Sequence, residues 1–122
     1  MAATASISIA GAVRGSSTGD KIIGPFNLAS AAANPTIQVI VLQSGANTIT
    51  PPLIPATTGC IIKLPATNTS VVTLKGVTGD TGIALGKTTT QVLNWDATAA
   101  PATFVLTSAA AQTGLSTEIT FF

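Results

Sequence analysis

The chain is 122 residues long and carries few charges, with five Lys or Arg, four Asp or Glu, no His and no Tyr. Enzymatic proton transfer and metal binding depend mainly on His, Asp, Glu, Cys, Lys and Tyr, and phosphate binding needs a basic surface. Ionisable residues this few and this scattered predict a protein that is not an enzyme, needs no cofactor or metal ion and binds no nucleic acid.

Short β-strands are predicted from the start of the chain, because β-branched residues favour strands and Gly and Pro interrupt them. Residues 6–9 alternate serine with isoleucine, the pattern of a strand with one apolar face. A polar turn at 16–20 leads to a second strand at 21–28, in which Pro25 indicates an edge or a bulge. Residues 28–34 are alanine-rich, which favours one or two helical turns.

The segment 37–42 is the most apolar of the predicted strands. Its near-continuous apolar character predicts a central strand covered on both faces. Seven further short strands are predicted between turn residues, at 48–50, 59–64, 70–75, 82–85, 91–95, 103–107 and 117–122. About ten short strands with this spacing predict an all-β protein. We expect residues 1–122 to form one β-sandwich domain, jelly-roll-like in topology.

Cys60 and Asp80 have structural rather than chemical interpretations. Cys60 is the single cysteine, so it cannot form an intramolecular disulfide, and its apolar neighbours predict a small buried hydrophobe. The Asp-Thr-Gly at 80–82 matches the tripeptide of aspartic proteases. Polar Thr and Gly stand at 78–79, where apolar strand residues would precede that tripeptide, so Asp80 is interpreted as a turn residue.

Trp95 is the single tryptophan, and its neighbours Asn94 and Asp96 are polar. An aromatic ring between hydrogen-bonding side chains can stack on a sugar, so a glycan-binding module that uses Trp95, Asn94 and Asp96 is one alternative. Packing of Trp95 into the core or its rim is the structural interpretation of the same residues.

The chain ends with two phenylalanines, Phe121 and Phe122, which follow Ile119 in the last predicted strand. Consecutive residues of a strand point to opposite faces, so one ring can enter the core while the other needs a second apolar surface. We therefore expect residues 117–122 to lie at or beside a subunit interface, with Ile119, Phe121 and Phe122 as contacts. Deletion of the two phenylalanines should then weaken assembly more than folding.

Residues 44–52 (SGANTITPP) and 74–85 (LKGVTGDTGIAL) are turn-and-strand patterns within the segment 37–85. In this segment the chain resembles small accessory proteins of tailed bacteriophage particles. The resemblance implies a β-sandwich that decorates the capsid or belongs to a fibre or tail attachment. It carries over no catalytic residue.

The composition indicates the same kind of protein. Charged residues make up 7% of the chain against about 25% in ordinary soluble domains, and a net charge of +1 favours association. We expect a virion structural protein, a capsid decoration or accessory subunit of the head-fibre or cement type. Its partners would be the major capsid protein or other virion proteins, and further copies of itself in a homo-oligomer.

The N-terminal sequence gives an expectation for location. It has no basic segment followed by a long apolar run, so no signal peptide is predicted, and no apolar stretch approaches the ~18 residues of a membrane span. We expect synthesis in the host cytoplasm, no membrane partner and a final location in the virion. Alternatives are an extracellular, pilus-like filament subunit and a free domain kept soluble by Thr, Ser, Asn and Gln.

Overall fold

The computed structural model describes residues 6–13, 21–29, 35–52 and 57–122, and its regular structure is β apart from one 3-10 turn, Ala97–Ala99. The strands are β1 (Ser6–Val13), β2 (Lys21–Ala29), β3 (Thr36–Ile40), β4 (Gly45–Ile49), β5 (Gly59–Lys63), β6 (Val72–Lys75), β7 (Ile83–Ala84), β8 (Thr90–Asn94), β9 (Phe104–Ser108) and β10 (Thr117–Phe121). The predicted polar turn at 16–20 and residues 30–34 of the alanine-rich segment lie outside the described residues. Residues 28 and 29 end β2 instead of starting a helix.

Eight of these strands form two four-stranded antiparallel sheets, so the all-β prediction is confirmed. The first sheet has the order β3-β10-β5-β8, and the second sheet has the order β4-β9-β6-β7. The chain changes sheet at every connection from β3 to β10 except the one between β6 and β7. Buried side chains from both sheets belong to one cluster, so the two sheets pack face to face.

Strands β1 and β2 form a separate two-stranded antiparallel hairpin. Ile9 pairs with Phe26, whereas Gly11 pairs with Ile23, so the register shifts between these two pairs. The shift places two residues of β2, one of them Pro25, opposite a single residue of β1. The prediction that Pro25 marks a bulge is therefore confirmed, because proline has no N–H group to donate to a regular ladder.

The core lies between the two sheets. Along β10 the burial alternates, with Ile119 and Phe121 buried and Glu118 exposed, which identifies the inward face of the first sheet. Cys60 is a free, buried thiol, as predicted. The buried apolar cluster consists of Leu42, Ile49, Cys60, Ile62, Leu64, Val72, Phe104, Leu106, Ile119 and Phe121.

The prediction that segment 37–42 is a central strand is wrong. Strand β3 lies at the edge of the first sheet, and the side chains of Ile37 and Val39 are each 64% exposed. Leu42, just after the strand, is fully buried. The apolar run therefore has two parts: an edge strand with apolar residues on its outer side, and the core residue Leu42, two positions after the strand ends.

The prediction that Ile119, Phe121 and Phe122 contact another subunit is also corrected. Their side chains are at most 1% exposed within this chain, so the folded chain offers none of them to a partner. The physical reason is that β10 does not lie at an edge but is inserted between β3 and β5. Phe122 continues along β5 beyond the strand, with its N–H group donating to the carbonyl of Gly59 at 3.1 Å.

Candidate functional site

The outward side of the first sheet, here called the outer face, carries a row of β-branched residues across all four strands. Thr120 pairs with Ile37 on one side and with Ile61 on the other, and Ile61 pairs with Val92. Directly paired residues lie on the same face of a sheet, and Ile119 and Phe121 occupy the opposite, inward face. The row Ile37, Thr120, Ile61 and Val92 therefore faces away from the core.

A second row runs beside the first and contains the charges of the outer face. Glu118 pairs with Val39 and with Lys63, and Lys63 pairs with Thr90. Glu118 and Lys63 are both exposed and have opposite signs, so this row has no net charge. Across these two rows the outer face has no net charge, and most of its side chains are β-branched.

The strongest exposure of apolar side chains on this face falls on its free edge, the side of β3 that pairs with no other strand in the described part of the chain. In β3, Ile37 and Val39 point outward, while Gln38 points inward and its Nε2 atom donates to the carbonyl of Thr50 at 3.1 Å. The strand contains no charged residue and no proline, and its register with β10 is regular over all five residues. Natural proteins usually protect edge strands with lysine, proline or bulges, and β3 has none of these within its length.

A cleft of about 350 Å³ lies beside Trp95. The indole is fixed in place, because its Nε1–H group donates to the carbonyl of Thr57 at 2.7 Å. Apolar residues and two glycines form most of the cleft, and Lys75 and Asp80 are the two charged side chains at its wall. The lining consists of Leu74, Lys75, Gly76, Asp80, Gly82, Ile83, Leu93, Trp95, Pro101 and Phe104.

Asn94 and Asp96 do not join Trp95 in this cleft, contrary to the grouping of the three as a glycan contact. The Nδ2 atom of Asn94 donates to the carbonyl of Thr58 at 2.9 Å. Asp96 caps the 3-10 turn, since its Oδ1 accepts from the hydroxyl and the backbone N–H of Thr98 at 2.6 and 2.8 Å. These two hydrogen bonds lower the pKa of Asp96. Both polar neighbours of Trp95 thus serve local structure.

Asp80 is a turn residue, as predicted. Its Oδ2 accepts from the N–H group of Val77 at 2.9 Å, and its own N–H donates to the carbonyl of Val77 at 3.1 Å. The turn brings Asp80 to the wall of the cleft, a position that depends on how the loop between β6 and β7 folds back. The sequence contains no short-range pattern that groups Asp80 with Trp95, so this neighbourhood was not predicted.

The described residues contain no group of three or more His, Cys, Asp or Glu side chains that could hold a metal ion. In the same part of the chain, no helix is both long enough and apolar enough to cross a membrane. No known protein family, curated protein or solved structure matches this chain. The outer face and its free edge are the surface on which a functional interpretation rests.

Proposed function

We propose that the protein is a structural subunit of a virion, a capsid decoration or accessory protein of the head-fibre or cement type, which acts through protein–protein contact. The observation that carries this proposal is the 64% exposure of both Ile37 and Val39 on an uncharged edge strand. Exposed apolar surface of this kind marks interaction sites. Because the outer face has one acidic and one basic side chain in its described rows, a partner can cover it with little desolvation of ions.

The arrangement of the strands supports the same proposal. We infer a jelly-roll topology, since eight strands divide into the orders β3-β10-β5-β8 and β4-β9-β6-β7, as two interleaved Greek keys would give. Jelly rolls include many viral capsid domains and also lectin domains. A fold hosts many functions, so the exposed face rather than the topology carries the argument. The resemblance of residues 44–52 and 74–85 to phage accessory proteins agrees with it.

The proposed partners are the major capsid protein or other virion proteins, together with further copies of this chain. The proposed location is the virion after synthesis in the host cytoplasm, and no enzymatic activity, cofactor, nucleic acid or membrane has a part in it. The glycan-binding alternative is less well supported. The Trp95 cleft is mostly apolar, and the polar neighbours Asn94 and Asp96 are engaged in hydrogen bonds of their own.

Sedimentation of virus particles tests the proposal. Particles produced in cells that express the chain should carry it at a fixed ratio to the major capsid protein after density-gradient purification. A chain with Ile37→Lys and Val39→Lys should remain at the top of the gradient while keeping its far-UV circular dichroism spectrum. Val77→Lys is the matched control, because Val77 is 63% exposed but lies in the loop after β6 rather than on the outer face. Wild-type chain that stays free of particles would refute the proposal.

A further inference from the structure

The geometry points to a second copy of this chain as the partner of the free edge. We infer that β3 pairs antiparallel with β3 of another copy across a two-fold axis that passes beside Gln38. The two first sheets would then form one continuous eight-stranded sheet. The inference rests on the proposed function, because it names the partner for part of the same outer surface.

Strand β3 is the most suitable of the four edges that the two sheets present. Strand β7 has two residues, too few for a stable ladder. Strand β4 begins with Gly45, and the side chain of Asn47 binds the backbone of the preceding loop, donating to the carbonyl of Gln43 at 2.9 Å. On β8, the apolar side chain of Val92 is 37% exposed, against 64% for each of the two on β3.

The pleat of the sheet restricts the possible registers. Directly opposite residues share a face, so the outer faces of the two copies stay on the same side only if Ile37 and Val39 pair with outward residues. With the axis beside Gln38, Ile37 of each copy lies opposite Val39 of the other, and Thr36 of each copy lies opposite Ile40 of the other. All five residues of β3 are then paired. Centring on Ile37 instead would bring in Pro35, which has no N–H group for the ladder.

This register joins the outer faces without placing like charges together. Within each copy, Thr120 and Glu118 lie one strand away from the new junction, behind Ile37 and Val39 respectively. Glu118 of one copy therefore does not meet Glu118 of the other. The outward side chains that meet at the new junction, Ile37 and Val39, are β-branched, a favourable cross-strand combination. No ion has to leave water for the two strands to pair, because β3 carries none.

Cysteine cross-linking tests the register directly. Directly opposite residues in an antiparallel pair have Cα atoms about 4.5–5.5 Å apart, within the range for a disulfide. Gln38→Cys should therefore give a disulfide-linked dimer on mild oxidation. Thr36→Cys on the same strand should not, since its two copies would be four residues, about 14 Å, out of register. Wild-type protein, whose native Cys60 is buried, gives the background level of disulfide cross-linking. Equal cross-linking at positions 36 and 38 would overturn the inference.

Sedimentation of the pure protein separates edge pairing from stacking of the outer faces. Wild-type chain is expected to be a dimer, Val39→Lys a monomer, and Val92→Lys, on the opposite edge of the same face, a dimer. A monomeric wild-type chain at its highest soluble concentration would overturn the inference, and so would equal loss of the dimer in both variants. If the pure wild-type chain is a monomer but is still found on purified particles, the inference is wrong and the proposed function is unaffected.

Discussion

Phe122 packs its ring directly against Gly59, so that a Cβ atom at Gly59 would lie 2.6 Å from Cζ of Phe122. The backbone is joined at the same place, since the carbonyl of Phe122 accepts from the N–H groups of Thr58 and Gly59 at 2.7 and 3.2 Å. Phe122 thus extends β10 alongside β5. This contact makes Phe122 a determinant of folding.

Gly59→Ala should destabilise the protein by about 1–3 kcal/mol, the usual effect of adding atoms to a well-packed core. The added methyl group would also collide with the carbonyl of Leu93, which belongs to the backbone and cannot turn aside. Urea denaturation measures the change in the free energy of unfolding. Gly79→Ala is the control, because a Cβ atom at Gly79 would meet no atom within 4 Å. Equal midpoints for the two variants would show that both the ring of Phe122 and the backbone at Leu93 make room for the methyl group without cost.

Phe122→Ala should lower the free energy of unfolding by about 3–5 kcal/mol, since it removes a fully buried aromatic ring. Deletion of both Phe121 and Phe122 should therefore prevent folding, the reverse of the expectation from the sequence alone. Far-UV circular dichroism and urea denaturation report the loss. Val77→Ala, at an exposed site, should change little. A truncated chain that folds as well as wild type but fails to assemble would restore the original expectation.

Asn68 is a buried polar link between three loops. Its Nδ2 donates to the carbonyls of Ser70 and Lys87 at 3.0 and 2.7 Å, and its Oδ1 accepts from Nε2 of Gln112 at 2.8 Å. Asn68→Ala leaves the buried Nε2 of Gln112 without this partner, which should cost about 1–3 kcal/mol, the usual penalty for an unsatisfied buried group. Thermal denaturation compares this variant with Asn94→Ala, whose amide is exposed. A loss no larger than that of Asn94→Ala would show that water replaces the missing hydrogen bonds.

Strand positions were predictable because they depend on local signals. Every predicted strand overlaps an observed one, and the bulge at Pro25 and the turn at Asp80 follow from the chemistry of those residues. The order of strands within a sheet depends instead on pairing between distant parts of the chain. Nothing near 37–42 indicates that one of its sides lacks a neighbour, and nothing near Phe122 indicates that β10 enters between β3 and β5.

The candidate site was less predictable than the fold, for a related reason. The outer face is made of residues from four strands, and only the register brings Ile37, Ile61 and Val92 into one row. In β3 the pattern was also ambiguous, because Gln38 points inward, where the carbonyl of Thr50 accepts from it, while the isoleucine and valine beside it point outward. In β3 the polar residue therefore faces the other sheet and the apolar residues face solvent, the reverse of the usual arrangement in a half-buried strand.

The buried thiol of Cys60 predicts a loss of stability at alkaline pH. Burial removes water from the thiol and raises its pKa from 9.0 to about 12, because the charged thiolate is disfavoured there. Below pH 9 the thiol is protonated in both states, so it has no effect on stability. Between pH 9 and 12 the unfolded chain loses this proton while the folded chain keeps it, so the free energy of unfolding falls by up to about 1.4 kcal/mol per pH unit.

Urea denaturation at about pH 8 and about pH 10.5, on either side of the ordinary thiol pKa, measures this dependence. Cys60→Ala is the matched control, since it has no thiol and keeps every other titrating group. The free energy of unfolding of Cys60→Ala should fall less between the two pH values than that of wild type. The thiol of folded wild type should also react slowly with a disulfide reagent until urea unfolds the chain, because the thiolate is the reactive form. The same pH dependence in both proteins, with rapid labelling of the folded chain, would mean that Cys60 is accessible to water.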